Sequence, residues 1–251
     1  MIKKVLKFIL KIIIALISFS VLLTLAYRWI NPPVTLTMLS RTIKDGEPIK
    51  KDWVPIEDIS PYMVQAAVAA EDNLFLVHNG FDVEAIKRAI NHNEKSRRIR
   101  GGSTISQQTA KNVFLTQSRT WIRKGLEVYF TFLIEQLWPK ERIMEVYLNV
   151  IEMGHGIYGA EVASQAYFHK SAKKLTMRQS ALITAIYPNP RKRNPANPSG
   201  YVSGRASTIE RLMYKVGPVN FDDEKELKEK YRLQKQKERE REKKRKARAS
   251  K

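Results

Sequence analysis

The 251-residue chain lacks cysteine altogether, which excludes disulfide frameworks and metal sites built from thiolates. The absence fits an oxidising compartment only weakly, because many cytosolic proteins also lack cysteine. Acidic residues are few beside basic ones, 25 against 45, so the formal net charge is +20. This excess predicts attraction to an anionic partner, but nucleic acid, acidic lipid headgroups and phosphorylated substrates all qualify.

Alternating runs of apolar and polar residues, the pattern of a strand, are scarce, and no internal repeat is present. One short alternation at Val34, Leu36 and Met38 predicts a single strand inside a linker. Elsewhere N-cap residues such as Ser103 open apolar segments, and proline or glycine closes them. These signals predict a mainly α-helical core, with helices over about residues 61–70, 83–93, 104–115, 120–138, 141–150, 176–187 and 201–216.

The apolar segment 12–27 carries no charge. It is shorter than the roughly 20 residues that span a bilayer, but flanking lysines can reach an interface and lengthen the usable span. Four lysines precede the segment and only Arg28 follows closely, which predicts a single-pass helix with a cytoplasmic N-terminus and all later residues outside. A buried core helix and a cleaved signal peptide are the alternatives, although Thr24-Leu25-Ala26 is a weak cleavage site.

The chain beyond this segment divides by composition into a linker, a globular domain and a charged tail. The tail is low in apolar residues and dense in mixed charge, so it is either a solvated single helix or disordered. It could also act as an arm that binds anionic lipid or nucleic acid. We therefore expect an anchor over 1–30, a juxtamembrane linker over 31–58, a domain over 59–220 and a basic tail over 221–251.

The first segment that could carry chemistry begins with Glu71 and Asp72, which close an alanine-rich apolar helix. A carboxylate at the end of an apolar helix is poorly solvated, and this suits it to general acid or base work. The simpler interpretation is a solvated helix end, and His78 alone would more often be a structural hydrogen-bonding residue.

The second segment, residues 101–112, combines two glycines, hydroxyl side chains and a helix N-terminus, an arrangement that favours phosphate or another anion. Gln108 and Lys111 lie on one face of the predicted helix. The residues that follow this segment add further cations. One of them, Arg123, lies one helical turn before the carboxylate of Glu127. A basic helix surface with an ordinary ion pair explains the same residues equally well.

Five motifs occur in order, and together they resemble the peptidoglycan glycosyltransferases, glycosyltransferase family 51. Within that family the closest likeness is to the stand-alone monofunctional biosynthetic transglycosylases, over about residues 57–217. The motifs are ED-x-x-F-x-x-H-x-G at 71–80, GGSTISQQTAKN at 101–112, RK-x-x-E at 123–127, ERIMEVYLN at 141–149 and G-x-GIYG-x-E-x-A-x-x-YF at 154–168.

This resemblance implies a lysozyme-like, mainly α-helical domain with two lobes, a cleft between them and a jaw that dips into the membrane. It also implies a substrate, lipid II, in which undecaprenyl pyrophosphate carries a disaccharide-pentapeptide. The reaction joins these units into β-1,4-linked glycan strands and releases undecaprenyl pyrophosphate. Apolar residues expected at the jaw surface, unless they pack in the core, are Val113, Phe114, Leu115, Trp121 and Ile122.

Carried onto this chain, the resemblance makes Glu71 the general base for the acceptor 4-hydroxyl. Glu127 matches the second essential carboxylate, which lies near the pyrophosphate-binding cations and is not a nucleophile. Asp72 and His78 are expected to shape the loop around Glu71. The matching pyrophosphate-binding positions are Lys111, Arg119 and Lys124, and the matching donor-site positions are Ser103, Thr104 and Gln108.

The partners implied by the resemblance are lipid II, the growing glycan strand and the cytoplasmic (inner) membrane, with cell-wall synthesis proteins as further candidates and no nucleic acid. No cofactor is required, although a divalent Mg²⁺ or Mn²⁺ ion near Glu127 is compatible with it. The nearest rival is a lytic transglycosylase or lysozyme-like enzyme, which shares the fold but cleaves glycan. The cations around Lys111 count against that rival because a glycan cleaver binds no pyrophosphate, and the presence of both carboxylates counts against an inactive membrane scaffold.

Overall fold

The structure is a computed structural model that describes residues 2–95, 102–118 and 120–249. Within these ranges the chain forms eleven α-helices and three short strands. The helices are α1 (Ile2–Ala26), α2 (Leu36–Asp45), α3 (Pro61–Glu71), α4 (Val83–Lys95), α5 (Ile105–Phe114), α6 (Trp121–Leu137), α7 (Lys140–Val150), α8 (Ala160–Phe168), α9 (Met177–Ala185), α10 (Gly200–Val216) and α11 (Glu224–Ala249). The strands are β1 (Lys50–Lys51), β2 (Glu152–Gly154) and β3 (Ile157–Tyr158).

Most helix boundaries follow the predicted caps to within one or two residues. Ser60 accepts a hydrogen bond from the Tyr62 amide at 3.3 Å and opens α3, and Thr176 opens α9 through a capping box. The predicted cap at Ser103 is wrong by one position, because Thr104 forms the capping box with Gln107. The tail is a single helix, α11, which is one of the two forms that its composition allowed.

The predicted strand at Val34, Leu36 and Met38 is also wrong, since residues 36–45 form helix α2. Thr35 caps this helix by accepting a hydrogen bond from the Met38 amide at 3.2 Å, and Gly46 ends it in the left-handed conformation. Three alternating apolar residues match a turn of helix as well as a strand. The caps at the two ends therefore decide the structure.

The apolar interior consists of two clusters that meet at α3. The larger cluster includes Met63 and Val68 of α3 and draws on α5, α7 and α8. The smaller one packs Ala66 and Ala69 of the same helix against α9 and α10. Helix α3 therefore runs between two lobes and contributes to both cores. The expectation of a mainly α-helical fold with one apolar N-terminal helix is confirmed, and it fits a lysozyme-like domain.

A three-stranded sheet in the order β1-β3-β2 lies beside the larger core. Strand β1 pairs parallel to β3, and β2 pairs antiparallel to it with an irregular register between Glu152 and Gly154. Gly159 then turns the chain from β3 into α8 with φ 89°. This positive φ is a conformation that residues with a Cβ rarely adopt.

Helix α1 is long and apolar enough to cross a membrane, at 25 residues or about 37 Å. Its side chains are almost all exposed, except where it contacts the carboxyl half of α6. There Trp138 Nε1 donates to the Thr24 carbonyl at 2.7 Å, and the Ser20 and Tyr129 hydroxyls are 2.8 Å apart. A helix exposed along its length except at its carboxyl end is compatible with a single-pass anchor that is tied to the domain.

The amino end of α6 exposes two large apolar side chains. The side chains of Trp121 and Ile122 are 92% and 80% exposed, as expected for a surface that enters a bilayer. The contacts pair Ser20 with Tyr129 and Thr24 with Trp138, so α1 and α6 run in the same direction. The amino end of α6 therefore points the same way as the amino end of α1. The other predicted jaw residues are buried in the larger core, and they are Val113, Phe114 and Leu115.

We predict that Gly159→Ala destabilises the domain. A Cβ at Gly159 would lie 2.8 Å from the Asn149 carbonyl oxygen, which is backbone and cannot move away independently. Together with the positive φ, this should cost about 1–3 kcal/mol, measured as a lower melting temperature of the detergent-solubilised protein. Gly204→Ala is the matched control, because its Cβ would meet no atom within 4 Å. Equal melting temperatures for the two variants would contradict the strain at Gly159.

Candidate active site

Glu71 is the last residue of α3 and lies where both lobes can reach it. Its Oε2 accepts a hydrogen bond from Gln108 Nε2 of α5 at 3.0 Å. Its Oε1 lies 3.6 Å from Arg205 Nη2 of α10. The Glu71 side chain keeps 18% of its surface exposed, so the carboxylate is held from both lobes and still open to a ligand.

The amide of Gln108 is oriented by Tyr147 of α7. The Tyr147 hydroxyl donates to Gln108 Oε1 at 3.4 Å, so the amide nitrogen must be the atom that faces Glu71. Tyr147 is fully buried, and this burial raises the pKa of its phenol well above the usual range, with the nearby charge of Glu71 as a further cause. The phenol therefore stays protonated and remains a donor.

Asp72, the neighbour of Glu71, is buried and already has its partners. It accepts hydrogen bonds from the Ile105 amide at 3.0 Å and from His78 Nε2 at 2.9 Å. The other ring nitrogen of His78 accepts from the Gly80 amide at 3.0 Å, which places the proton of a neutral ring on Nε2. Asp72 thus ties the loop of residues 72–82 to the amino end of α5, as expected for a residue that shapes the loop.

The two adjacent hydroxyl residues before α5 differ in their surroundings. The Thr104 hydroxyl is buried, donates to the Gly80 carbonyl at 2.7 Å and accepts from the Gln107 amide at 3.2 Å. Ser103 is exposed and lines a cavity of about 140 Å³ together with Glu71. The Ser103 side chain is therefore available to a ligand in this cavity, whereas the Thr104 hydroxyl is occupied by the cap and the loop.

A group of cations surrounds Glu127 on α6. Arg123 Nη1 lies 2.6 Å from Glu127 Oε2, and Lys124 Nζ forms an ion pair with the other carboxylate oxygen. Glu127 is only 3% exposed, so these cations take the place of solvent around its carboxylate. The predicted residue Arg119 lies outside the described residues.

Lys111 of α5 lies beside this group without a close partner of its own. Its side-chain ammonium forms no hydrogen bond or ion pair with any residue that the structure describes. Burial lowers the pKa of Lys111, while the Glu127 carboxylate opposes that shift and Arg123 and Lys124 add to it. Lys111 follows Gln108 by three residues, about 4.5 Å along the helix axis. One helix therefore carries both the amide that holds Glu71 and the cation beside Glu127.

A transglycosylase family model matches residues 37–214. The chain belongs to the transglycosylase family. Proteins named biosynthetic peptidoglycan transglycosylase are similar over most of the chain. That of Bdellovibrio bacteriovorus is 50% identical over 217 residues, covering 84% of this chain and 86% of its own length. That of Bacteroides thetaiotaomicron is 47% identical over 239 residues, covering 91% and 96%.

In this transglycosylase, most predicted site residues lie on α3, α5 and α6 or directly before α5. Sequence reasoning missed Arg205, whose helix is distant in the chain from Glu71. It also missed a buried ion pair in which Lys140 Nζ lies 2.7 Å from Glu135 Oε1. Lys140 Nζ also lies 4.7 Å from the Phe75 ring centroid, so this ion pair packs against the 72–82 loop. For this ion pair, the only signal in the sequence was Phe75 of the first motif, which Lys140 contacts.

The part of this transglycosylase that the structure describes contains no cluster of metal-ligating side chains. Among the described residues, no three His, Asp or Glu side chains are grouped so that they could hold a metal ion. Both carboxylate oxygens of Glu127 are in ion pairs with Arg123 and Lys124. The carboxylate that a metal would need is therefore paired with cations.

Proposed function

We propose that this protein polymerises the glycan strands of peptidoglycan from lipid II, with Glu71 as the general base. The observation that carries the proposal is helix α5, which presents Gln108 to Glu71 and, one turn later, Lys111 to the cations around Glu127. A base and a cationic site on one rigid element suit a reaction in which a hydroxyl loses a proton while an anionic group departs.

In the proposed step, the Glu71 carboxylate takes the proton from the 4-hydroxyl of the acceptor sugar. The acceptor oxygen forms a bond to the anomeric carbon of the donor, and the bond from that carbon to the pyrophosphate oxygen breaks. The electron pair leaves with the undecaprenyl pyrophosphate. Attack opposite the leaving group inverts the anomeric centre and gives the β-1,4 linkage. Gln108 and Arg205 contact the carboxylate from the two lobes and would keep its free face toward the acceptor.

The negative charge that develops on the departing pyrophosphate needs cations that are already in position. Lys111 and Lys124 lie around Glu127 and suit this role, and Arg119 is proposed to join them. Glu127 would hold Arg123 and Lys124 in place through its two ion pairs. Because both of its oxygens are occupied, we assign no step to a metal ion and no nucleophilic role to Glu127.

The donor sugar would lie between these two groups of residues. Ser103 and Gln108 are suited to contact it, since Ser103 lines the cavity beside Glu71. Thr104 would act by fixing the end of α5, because its hydroxyl is already hydrogen-bonded to Gly80. The lytic alternative is less favoured, since the cleavage of a glycan involves no pyrophosphate that the cations near Lys111 could bind.

We further propose that α1 crosses the cytoplasmic membrane with its N-terminus inside, while the catalytic domain lies on the outer, periplasmic side. The lysines at the start of α1 support this orientation. The exposed Trp121 and Ile122 would enter the outer leaflet and bring the cationic group on α6 to the level of the lipid headgroups. The pyrophosphate of a lipid-anchored donor lies at that level.

The first prediction for the proposed function concerns the base. Glu71→Gln should lower the polymerisation of labelled lipid II by about 10²-fold or more, because an amide cannot accept the proton. The melting temperature should stay near that of the wild type. The exposed carboxylate variant Glu57→Gln is the control and should keep full activity. Near-wild-type turnover by Glu71→Gln would refute the base, and cleavage of preformed glycan without polymer formation would support the lytic enzyme instead.

The second prediction concerns the leaving group. Lys111→Gln should reduce the polymerisation rate by about 10²-fold, because it removes a preorganised cation from the pyrophosphate site. Sensitivity to moenomycin, a phosphoglycolipid inhibitor of this enzyme family, should fall as well. Lys50→Gln removes an exposed lysine from strand β1 and should change neither property. If Lys111→Gln also leaves both unchanged, Lys111 does not bind the pyrophosphate.

The third prediction concerns orientation, and the absence of native cysteine makes it simple to test. In spheroplasts, a membrane-impermeant maleimide should label Ala196→Cys, which lies in an exposed loop of the domain. The same reagent should label Ile2→Cys, before the lysines, only after the membrane is permeabilised. The reverse pattern would place the domain in the cytoplasm.

A further inference from the structure

The tail helix α11 carries a row of cations on one face. Their spacing of three or four residues aligns them along the helix. This face is turned toward the domain, since Lys228 Nζ donates to Asn79 Oδ1 at 3.0 Å and Lys235 Nζ lies 2.7 Å from Glu84 Oε1. The members of this cationic row are Lys228, Arg232, Lys235, Arg239 and Lys243.

A groove separates the cationic row from the domain. It consists of two adjoining cavities of about 640 Å³ and 350 Å³ that share Val77, Tyr231, Lys235 and Arg239. Among the described residues, six lysine or arginine side chains and three carboxylates line these two cavities. The groove is therefore concave and carries an excess of positive charge.

Several of the lining cations are not neutralised by the domain. Within the described ranges, the side chains of Arg239, Lys243 and Lys87 form no hydrogen bond or ion pair. Of the carboxylates, Glu84 already accepts Lys235, and Glu240 accepts a hydrogen bond from Gln236. Free cations that line a concave surface attract an anionic ligand, and the attraction weakens as salt is added.

The groove neighbours the candidate active site. Part of its domain wall is the 72–82 loop that directly follows Glu71, through Leu74, Val77 and His78. The cavity that contains Glu71 and Ser103 shares Asp82 with the groove. A chain that leaves the region of Glu71 beside this loop would therefore come close to the cationic row.

We propose that this groove holds the carboxylate-bearing peptide stems of the growing glycan strand. The inference rests on the proposed function, because the ligand is the product of that reaction. Each added unit carries a peptide with at least its terminal carboxylate, so a strand presents negative charges at repeated positions. Contacts to Arg239, Lys243 and Lys87 would retain the strand between additions and raise its effective concentration at the site.

A flat anionic membrane fits this surface less well than an acidic chain. A helix that lies on a bilayer has an apolar face along its length. The large apolar side chains of α11 are confined to its first ten residues, as Leu227, Tyr231 and Leu233. Two cations of the row, Lys228 and Lys235, contact the domain at Asn79 and Glu84, so the row borders the groove along the domain. An extended acidic ligand can follow the row along this groove.

The test compares two double variants of the full-length protein in detergent. Arg239→Gln with Lys243→Gln removes two charges from the groove, and Lys237→Gln with Arg241→Gln removes two charges from the same helix outside the groove. Binding is measured with soluble glycan fragments whose peptide stems have free carboxylates. We expect the groove variant to bind about fivefold more weakly, since each exposed pair contributes modestly, while the control variant binds like the wild type.

Fragments with amidated stem carboxyls should bind the wild type as weakly as free-carboxylate fragments bind the groove variant. The groove variant should also make shorter strands from lipid II at an unchanged initial rate. Equal losses in both double variants, no loss in either, or tight binding of amidated fragments would overturn the inference. Loss of binding to phosphatidylglycerol vesicles with unchanged fragment binding would assign the groove to the membrane. A wild type that makes no polymer would instead refute the proposed function, which the binding assay does not require.

Discussion

The burial of α3 between two apolar cores is the constraint on which the site depends. The helix is rich in alanine, and small side chains let α9 and α10 approach on one side while the larger core packs on the other. Because both lobes use this helix, neither can shift without disturbing it. Glu71 is its last residue, so the carboxylate takes its position from both lobes at once. A carboxylate on a free loop would lack this support.

The adjacent carboxylates at the end of α3 show how surroundings assign different roles to similar groups. Asp72 is buried, and its carboxylate accepts hydrogen bonds from the Ile105 amide and from His78. Glu71 keeps part of its surface open, and among the described residues its carboxylate has only Gln108 and Arg205 as partners. The bond from Asp72 to Ile105 also ties α5 to α3. The position of Lys111 relative to Glu71 therefore depends on the carboxylate that is not proposed to react.

Local signals predicted most of the fold, because caps and helix-ending prolines act over three or four residues. They failed at α2, where a three-residue alternation is compatible with both strand and helix, and at Ser103, where Thr104 competes for the same cap. The candidate site was predictable as far as its motifs extend along the chain. Arg205 was not, since it meets Glu71 only when distant helices pack. The pair of Glu135 with Lys140 lies across the short connection from α6 to α7, outside the five motifs.

The cationic group near Glu127 shows why such a site favours an anionic ligand. Removing a lysine from water disfavours its charge, and the lowered pKa of Lys111 reflects that cost. Glu127 offsets part of it, but this single buried carboxylate is already paired with Arg123 and Lys124. Among the described residues, the ammonium of Lys111 has no counterion of its own, so folding alone holds this positive charge in place. A pyrophosphate bound there would supply the missing charge, and the stabilisation would increase as the leaving group gains charge during the reaction.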